Sequence, residues 1–75
     1  MPKLYSSRQI LSALGRAGFN IVSQKGSHIK LQKKISEKKI LTVIVPNHKE
    51  TAIGTFNSIL IQADITKGKF EKLVK

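Results

Sequence analysis

The sequence predicts an α+β fold in the order α-β-β-β-α, with a short extra helix at the C-terminal end. Three observations carry this expectation. A capped apolar stripe at helical spacing opens the chain. Three short alternating or β-branched runs, separated by turns, fill its middle. A second helical stripe follows them. Short hairpins beside helices make a three-stranded antiparallel sheet covered on one face. Seventy-five residues suffice for one domain, read as 1–75. A chain this short buries about 60–65% of the surface its unfolded form exposes. That excludes a second core and any large internal cavity.

Ser6 is a good N-cap, and Gln9 three residues later completes a capping box. Tyr5 and Ile10 stand at the positions of a hydrophobic staple. Ile10, Leu11 and Leu14 form the apolar stripe of this first helix, and Arg8 and Arg16 lie off it. Gly18 supplies the left-handed stop. The first strand is expected over Phe19 to Gln24, and Lys25-Gly26-Ser27 is a tight turn in which Gly26 takes positive φ. His28 to Lys34 alternates, with Ile29 and Leu31 on one face and His28, Lys30, Gln32 and Lys34 on the other. Ser36-Glu37-Lys38 makes a second turn. Lys39 to Val45 is the strongest strand and Pro46 ends it. Its inward residues are Leu41, Val43 and Val45, and Thr42 and Ile44 look outward. A second helix is expected over Ile53 to Ala63, burying Phe56, Ile59, Leu60 and Ala63. Thr66 caps a short third helix with Phe70, Leu73 and Val74 at i, i+3 and i+4. Gly68 weakens that last element.

Charge narrows the function. Fourteen Lys and Arg against four acids give a net charge of +10. A small domain so basic has the electrostatic footprint of a polyanion binder. Twelve of the fourteen cations are Lys. Lysine meets phosphate as a point charge and reads bases poorly, so backbone contact is expected. Seven Lys and one acid lie between Lys25 and Lys49, which places the binding surface mid-chain. There is no cysteine, so disulfides, thiolate metal sites and a Cys nucleophile are excluded. Two His and four acids, spread along the chain, offer no clustered metal site, and no cofactor is expected. No apolar run approaches the ~20 residues of a membrane span. The N-terminus shows no signal peptide, and a cytoplasmic location is expected.

Gly26-Ser27-His28 carries the most chemistry. A glycine turn delivers an imidazole to the outward face of a strand, among Lys25, Lys30 and Lys34. Imidazole titrates near neutral pH. It therefore suits proton transfer at a ribose 2′-hydroxyl or a leaving 5′-oxygen, and lysines stabilise charge on the phosphate. The plainer alternative is an exposed hairpin histidine that stacks on a base or does nothing. His48, in Val45-Pro46-Asn47-His48, is a second acid–base candidate or a residue that fixes its loop by hydrogen bonding. Gly54 and Thr55 open the second helix. They serve either simple helix initiation or phosphate binding through free N–H groups.

In order and spacing these pieces resemble the HicA toxin family, the small mRNA-cleaving half of HicA–HicB toxin–antitoxin pairs. The resemblance runs from about Ser6 to Val74. It rests on Ala17-Gly18-Phe19, Gln24-Lys25-Gly26-Ser27-His28, Val43 to Val45 with Pro46-Asn47-His48, Ile53-Gly54-Thr55, and Ser58-Ile59-Leu60-Ile61-Gln62-Ala63. It implies an α-β-β-β-α sandwich similar to a double-stranded-RNA-binding domain. It implies a metal-independent endoribonuclease acting on mRNA, with His28 catalytic; the charge pattern itself puts Lys25, Gly26, Ser27, Lys30 and Lys34 at the RNA. His48, Gly54 and Thr55 are secondary candidates. It also implies inhibition by a HicB-type antitoxin that covers the basic face. The chain departs from the family pattern at Asp64, where glycine is usual at the helix stop. It departs again at Ile44, where a polar residue is frequent, and in the turn at Ser36-Glu37-Lys38. Two other readings stay open: a non-catalytic RNA-binding module of the same fold, and a basic domain that docks an acidic protein.

Overall fold

A computed structural model describes residues 4–74. Residues 1–3, on which part of the leader reading falls, and residue 75 lie outside the described residues. The elements run α1 (Ser7–Arg16), β1 (Asn20–Lys25), β2 (His28–Ser36), β3 (Lys39–Pro46), α2 (Ile53–Ala63) and α3 (Lys67–Leu73). This is the expected α+β order.

The capping box at α1 is complete. Gln9 N–H donates to Ser6 Oγ at 3.1 Å, and Ser6 N–H donates to Gln9 Oε1 at 2.9 Å. Ile10, Ala13 and Leu14 are buried. At the other end Gly18 takes φ +103°. Gly18 N–H reaches Gly15 O at 3.1 Å and Phe19 N–H reaches Leu14 O at 3.0 Å, the paired bonds of a Schellman stop. Phe19 thus belongs to the helix terminus, and β1 starts one residue later than the sequence suggests. The same two bonds close α2, from Asp64 to Ile61 O and from Ile65 to Leu60 O, at 3.1 and 3.0 Å. There Asp64 holds the left-handed position at φ +56°.

The sheet order is β1-β2-β3, antiparallel throughout. Gly26 and Ser27 form a two-residue turn between the paired Lys25 and His28, with Gly26 at φ +61°. Glycine at the first central position with positive φ suits the right-handed twist of the hairpin. Ile29 and Leu31 of β2 and Val43 and Val45 of β3 face the helices and are buried; Leu41 packs at their margin. α1 and α2 pack on β3, and α3 packs on α1. β1 is exposed along its whole length and bulges between Ile21 and Ser23. On the opposite edge the free Ile44 N–H donates to Gln62 Oε1 of α2 at 3.1 Å, and Gln62 Nε2 is held by Ser58 Oγ at 3.2 Å.

The core closes on three rings. Tyr5, Phe56 and Phe70 stand with centroids 4.8–5.3 Å apart, two of the three pairs edge to face. Such pairs add about 0.5–1.5 kcal/mol each beyond burial. Phe70 is fully buried, so α3 completes the core despite Gly68. Thr66 Oγ1 caps α3 by accepting from Lys69 N–H at 3.2 Å. Arg16 Nη1 donates to Leu73 O at the other end, at 2.6 Å, a cation on the negative end of the helix dipole.

Two stability measurements test this account. Phe70→Ala should lose about 3–5 kcal/mol in urea unfolding, whereas Glu71→Ala on the same helix should stay within about 0.5 kcal/mol of the parent. Asp64→Gly should gain about 0.5–1 kcal/mol, since it relieves a left-handed non-glycine residue and removes an anion from a helix C-terminus. An unchanged urea midpoint for Asp64→Gly would refute the assignment of strain to that position.

Candidate functional site

The outward residues of the three strands form rows across the sheet. Lys25, His28 and Pro46 make the first row; Ser23, Lys30 and Ile44 the second; Asn20, Gln32 and Thr42 the third. Gln32 Nε2 donates to Thr42 Oγ1 at 3.3 Å within that third row. Lys34 and Ile40 follow on β2 and β3. Alternate residues on a strand are separated by about 6.7 Å. So Lys25, His28, Lys30 and Lys34, read separately from the sequence, line one surface. His28, Lys25 and Lys34 are exposed there and Lys30 is half-buried. Lys33 goes elsewhere. It points to the inner face, where its Nζ lies 5.9 Å from the Phe19 ring centroid.

The turn before His28 is fastened from behind. Ser27 O accepts from Asn47 N–H at 2.6 Å. Asn47 Oδ1 accepts from Ser7 Oγ at 2.9 Å, and His48 O accepts from Ser7 N–H at 2.9 Å. Thr51 N–H donates to Tyr5 O at 2.8 Å. The loop after β3 is thereby stitched to the start of α1 at one side and to the Gly26-Ser27 turn at the other. His48 fixes its loop through its backbone carbonyl, while its side chain stays exposed beside Ser6, Ser7, Arg8, Asn47 and Lys49.

Gly54 and Thr55 lie in the first turn of α2, in the helix layer behind the sheet, and do not join the His28 surface. A side chain at Gly54 would meet open space, so packing does not demand a glycine there. Nothing in the sequence marks Ser7 and Lys49, and Arg8 and Asn47 stand out there only as an off-stripe residue and as part of Pro46-Asn47-His48. The Ser7–Asn47 bond spans 40 residues and leaves no local pattern to read. Among the described residues no group of three or more His, Asp or Glu is placed to hold a metal ion. No described helix is long and apolar enough to cross a membrane.

The family model for the HicA toxin of bacterial toxin–antitoxin systems matches residues 7–65. This chain belongs to the HicA toxin family. The match spans α1, the whole sheet, the stitched loop and α2, and stops at the residue that completes the α2 terminus. It therefore takes in every HicA-like piece read from the sequence up to Ala63, while α3 lies beyond it. A search of curated proteins found none that matches the chain. As a HicA toxin the protein is the toxin half of a toxin–antitoxin system.

The stitching makes a measurable claim. Asn47→Ala leaves the buried Ser7 hydroxyl without an acceptor, which should cost about 1–3 kcal/mol. Ser7→Ala with Asn47→Ala should cost clearly less than the two single changes added together. Strict additivity in that double-mutant cycle would show that the two side chains do not interact.

Proposed function

We propose that this toxin is a metal-independent endoribonuclease that cleaves mRNA, with His28 as its catalytic residue and a HicB-type antitoxin as its inhibitor. The observation that carries the reading is the outward face of the sheet: one exposed imidazole set at a tight glycine turn, with Lys25 beside it in its row, Lys30 and Lys34 farther along its own strand, and no carboxylate among them. Lys25, Lys30 and Lys34 hold phosphates of the strand, and Gly26 and Ser27 let the backbone approach beside the reacting group. His28 takes the proton from a ribose 2′-hydroxyl. The 2′-oxygen bonds to the adjacent phosphorus, the bond from phosphorus to the 5′-oxygen breaks, and the leaving 5′-oxygen takes a proton from water. The products are a 2′,3′-cyclic phosphate and a 5′-hydroxyl. Lysine ammonium groups balance the charge that grows on the phosphoryl oxygens. Nothing in this sequence of bonds calls for a metal, and the residues around His28 are cations rather than metal ligands. His48, Gly54 and Thr55 have secondary roles at most, since none shares the His28 row. The protein works as one domain in the cytoplasm, where mRNA is met. An acidic antitoxin face laid over the lysine rows silences the site by charge and by occlusion.

His28→Ala should fold normally, because the side chain is exposed, and should lose about 10²–10⁴-fold in cleavage rate. RNA affinity should survive and EDTA should leave the wild-type rate unchanged. Full cleavage by folded His28→Ala protein would end the assignment. RNA binding without any cleavage by the wild type would favour the binding-module alternative.

A further inference from the structure

A second place gathers basic side chains from distant parts of the chain. Arg8 comes from the first turn of α1, and His48 and Lys49 come from the loop after β3. With Ser6, Ser7 and Asn47 they line one cleft of about 520 Å³. All three side chains are exposed. Among the described residues none of them makes a hydrogen bond or ion pair. Glu50, next in the chain, does not line the cleft. Two donors of the helix end are already used, since Ser7 N–H goes to His48 O and Gln9 N–H to Ser6 Oγ. The cleft also adjoins the row of His28: Asn47 lines it, and Asn47 N–H is bonded to the carbonyl of Ser27, the residue before His28.

We propose that this cleft is a second phosphate subsite, which holds the RNA strand on one side of the cut through Arg8 and Lys49, with His48 beside them. The inference rests on the ribonuclease reading of His28. A strand laid along Lys34, Lys30 and Lys25 runs past His28 to the end of the sheet. The surface it meets there is the Ser27–Asn47 junction and then this cleft. Nucleic acid carries a phosphate at every nucleotide, so a strand crossing that junction brings the next charges over Arg8 and Lys49.

The test uses a 2′-O-methyl oligoribonucleotide, which lacks the attacking hydroxyl and stays intact. Its affinity for the protein is followed against salt for the parent, Arg8→Gln/Lys49→Gln, and Lys69→Gln/Lys72→Gln. The last pair removes the same charge on α3, which packs on α1 away from the outward face of the sheet. Far-UV circular dichroism confirms that each variant is folded. Loss of one phosphate contact should flatten the slope of log K against log salt by about 0.7 for Arg8→Gln/Lys49→Gln, with a several-fold loss of affinity at low salt. The control pair should show a clearly smaller change in both. Equal effects of the two pairs would reduce the cleft to net charge, and no effect of Arg8→Gln/Lys49→Gln would remove it from the binding path. Because binding is read without cleavage, failure of the His28 assignment and failure of the subsite are separate results.

Discussion

The packing of Tyr5, Phe56 and Phe70 is the constraint on which the remaining order depends. These rings come from the residue before the α1 cap, from α2 and from α3, and each is buried. Seating Tyr5 fixes the approach to Ser6, and its carbonyl holds Thr51. Ser7 follows the cap and grips Asn47 and His48. Asn47 then holds Ser27, whose neighbour is His28. A chain of short bonds thus runs from the hydrophobic core to the outward imidazole. Its geometry is set by burial at one end and by the Lys25–His28 pairing that closes the turn at the other.

β2 shows how little sequence is needed to give one strand two jobs. Its period of two sends Ile29 and Leu31 inward to the helices and His28, Lys30, Gln32 and Lys34 outward. A slip of one residue would bury lysines and expose the core face. The charge of +10 repels itself. The fold keeps its apolar core on the other face of the sheet, and Lys33, the inward exception, lies at the margin near Phe19 and Gly18.

What could be read from the sequence follows the range of the interaction. The Ser6–Gln9 box, the stops at Gly18 and Asp64, the Gly26 turn and the alternation of β2 are set within a few residues, and they appear where the pattern put them. The α2 boundaries and its four buried residues were likewise legible from helical spacing. The start of β1 shifted because Phe19 is claimed by the α1 terminus, a choice between two local structures that the strand pattern does not weigh. The weight of α3 was hidden by Gly68, since local propensity says nothing about the ring cluster waiting for Phe70. His28 and its lysines stand out singly in the sequence. Their common surface needed the register, and the cleft at Arg8 needed contacts between residues 40 apart.

The amide of Gln62 on the Ile44 N–H has a consequence for assembly. A small sheet with two bare edges can add copies of itself head to tail, β1 of one on β3 of the next, and such contacts extend into fibres. Here the β3 edge has a side chain seated on a backbone donor that an incoming strand would need. The other edge is β1, kinked by its bulge. Two copies meeting there through like edges would form a closed pair and stop. Ile21 and Val22 lie in the open on that edge, while a glutamine of α2 takes one of the donors at which copies would add head to tail.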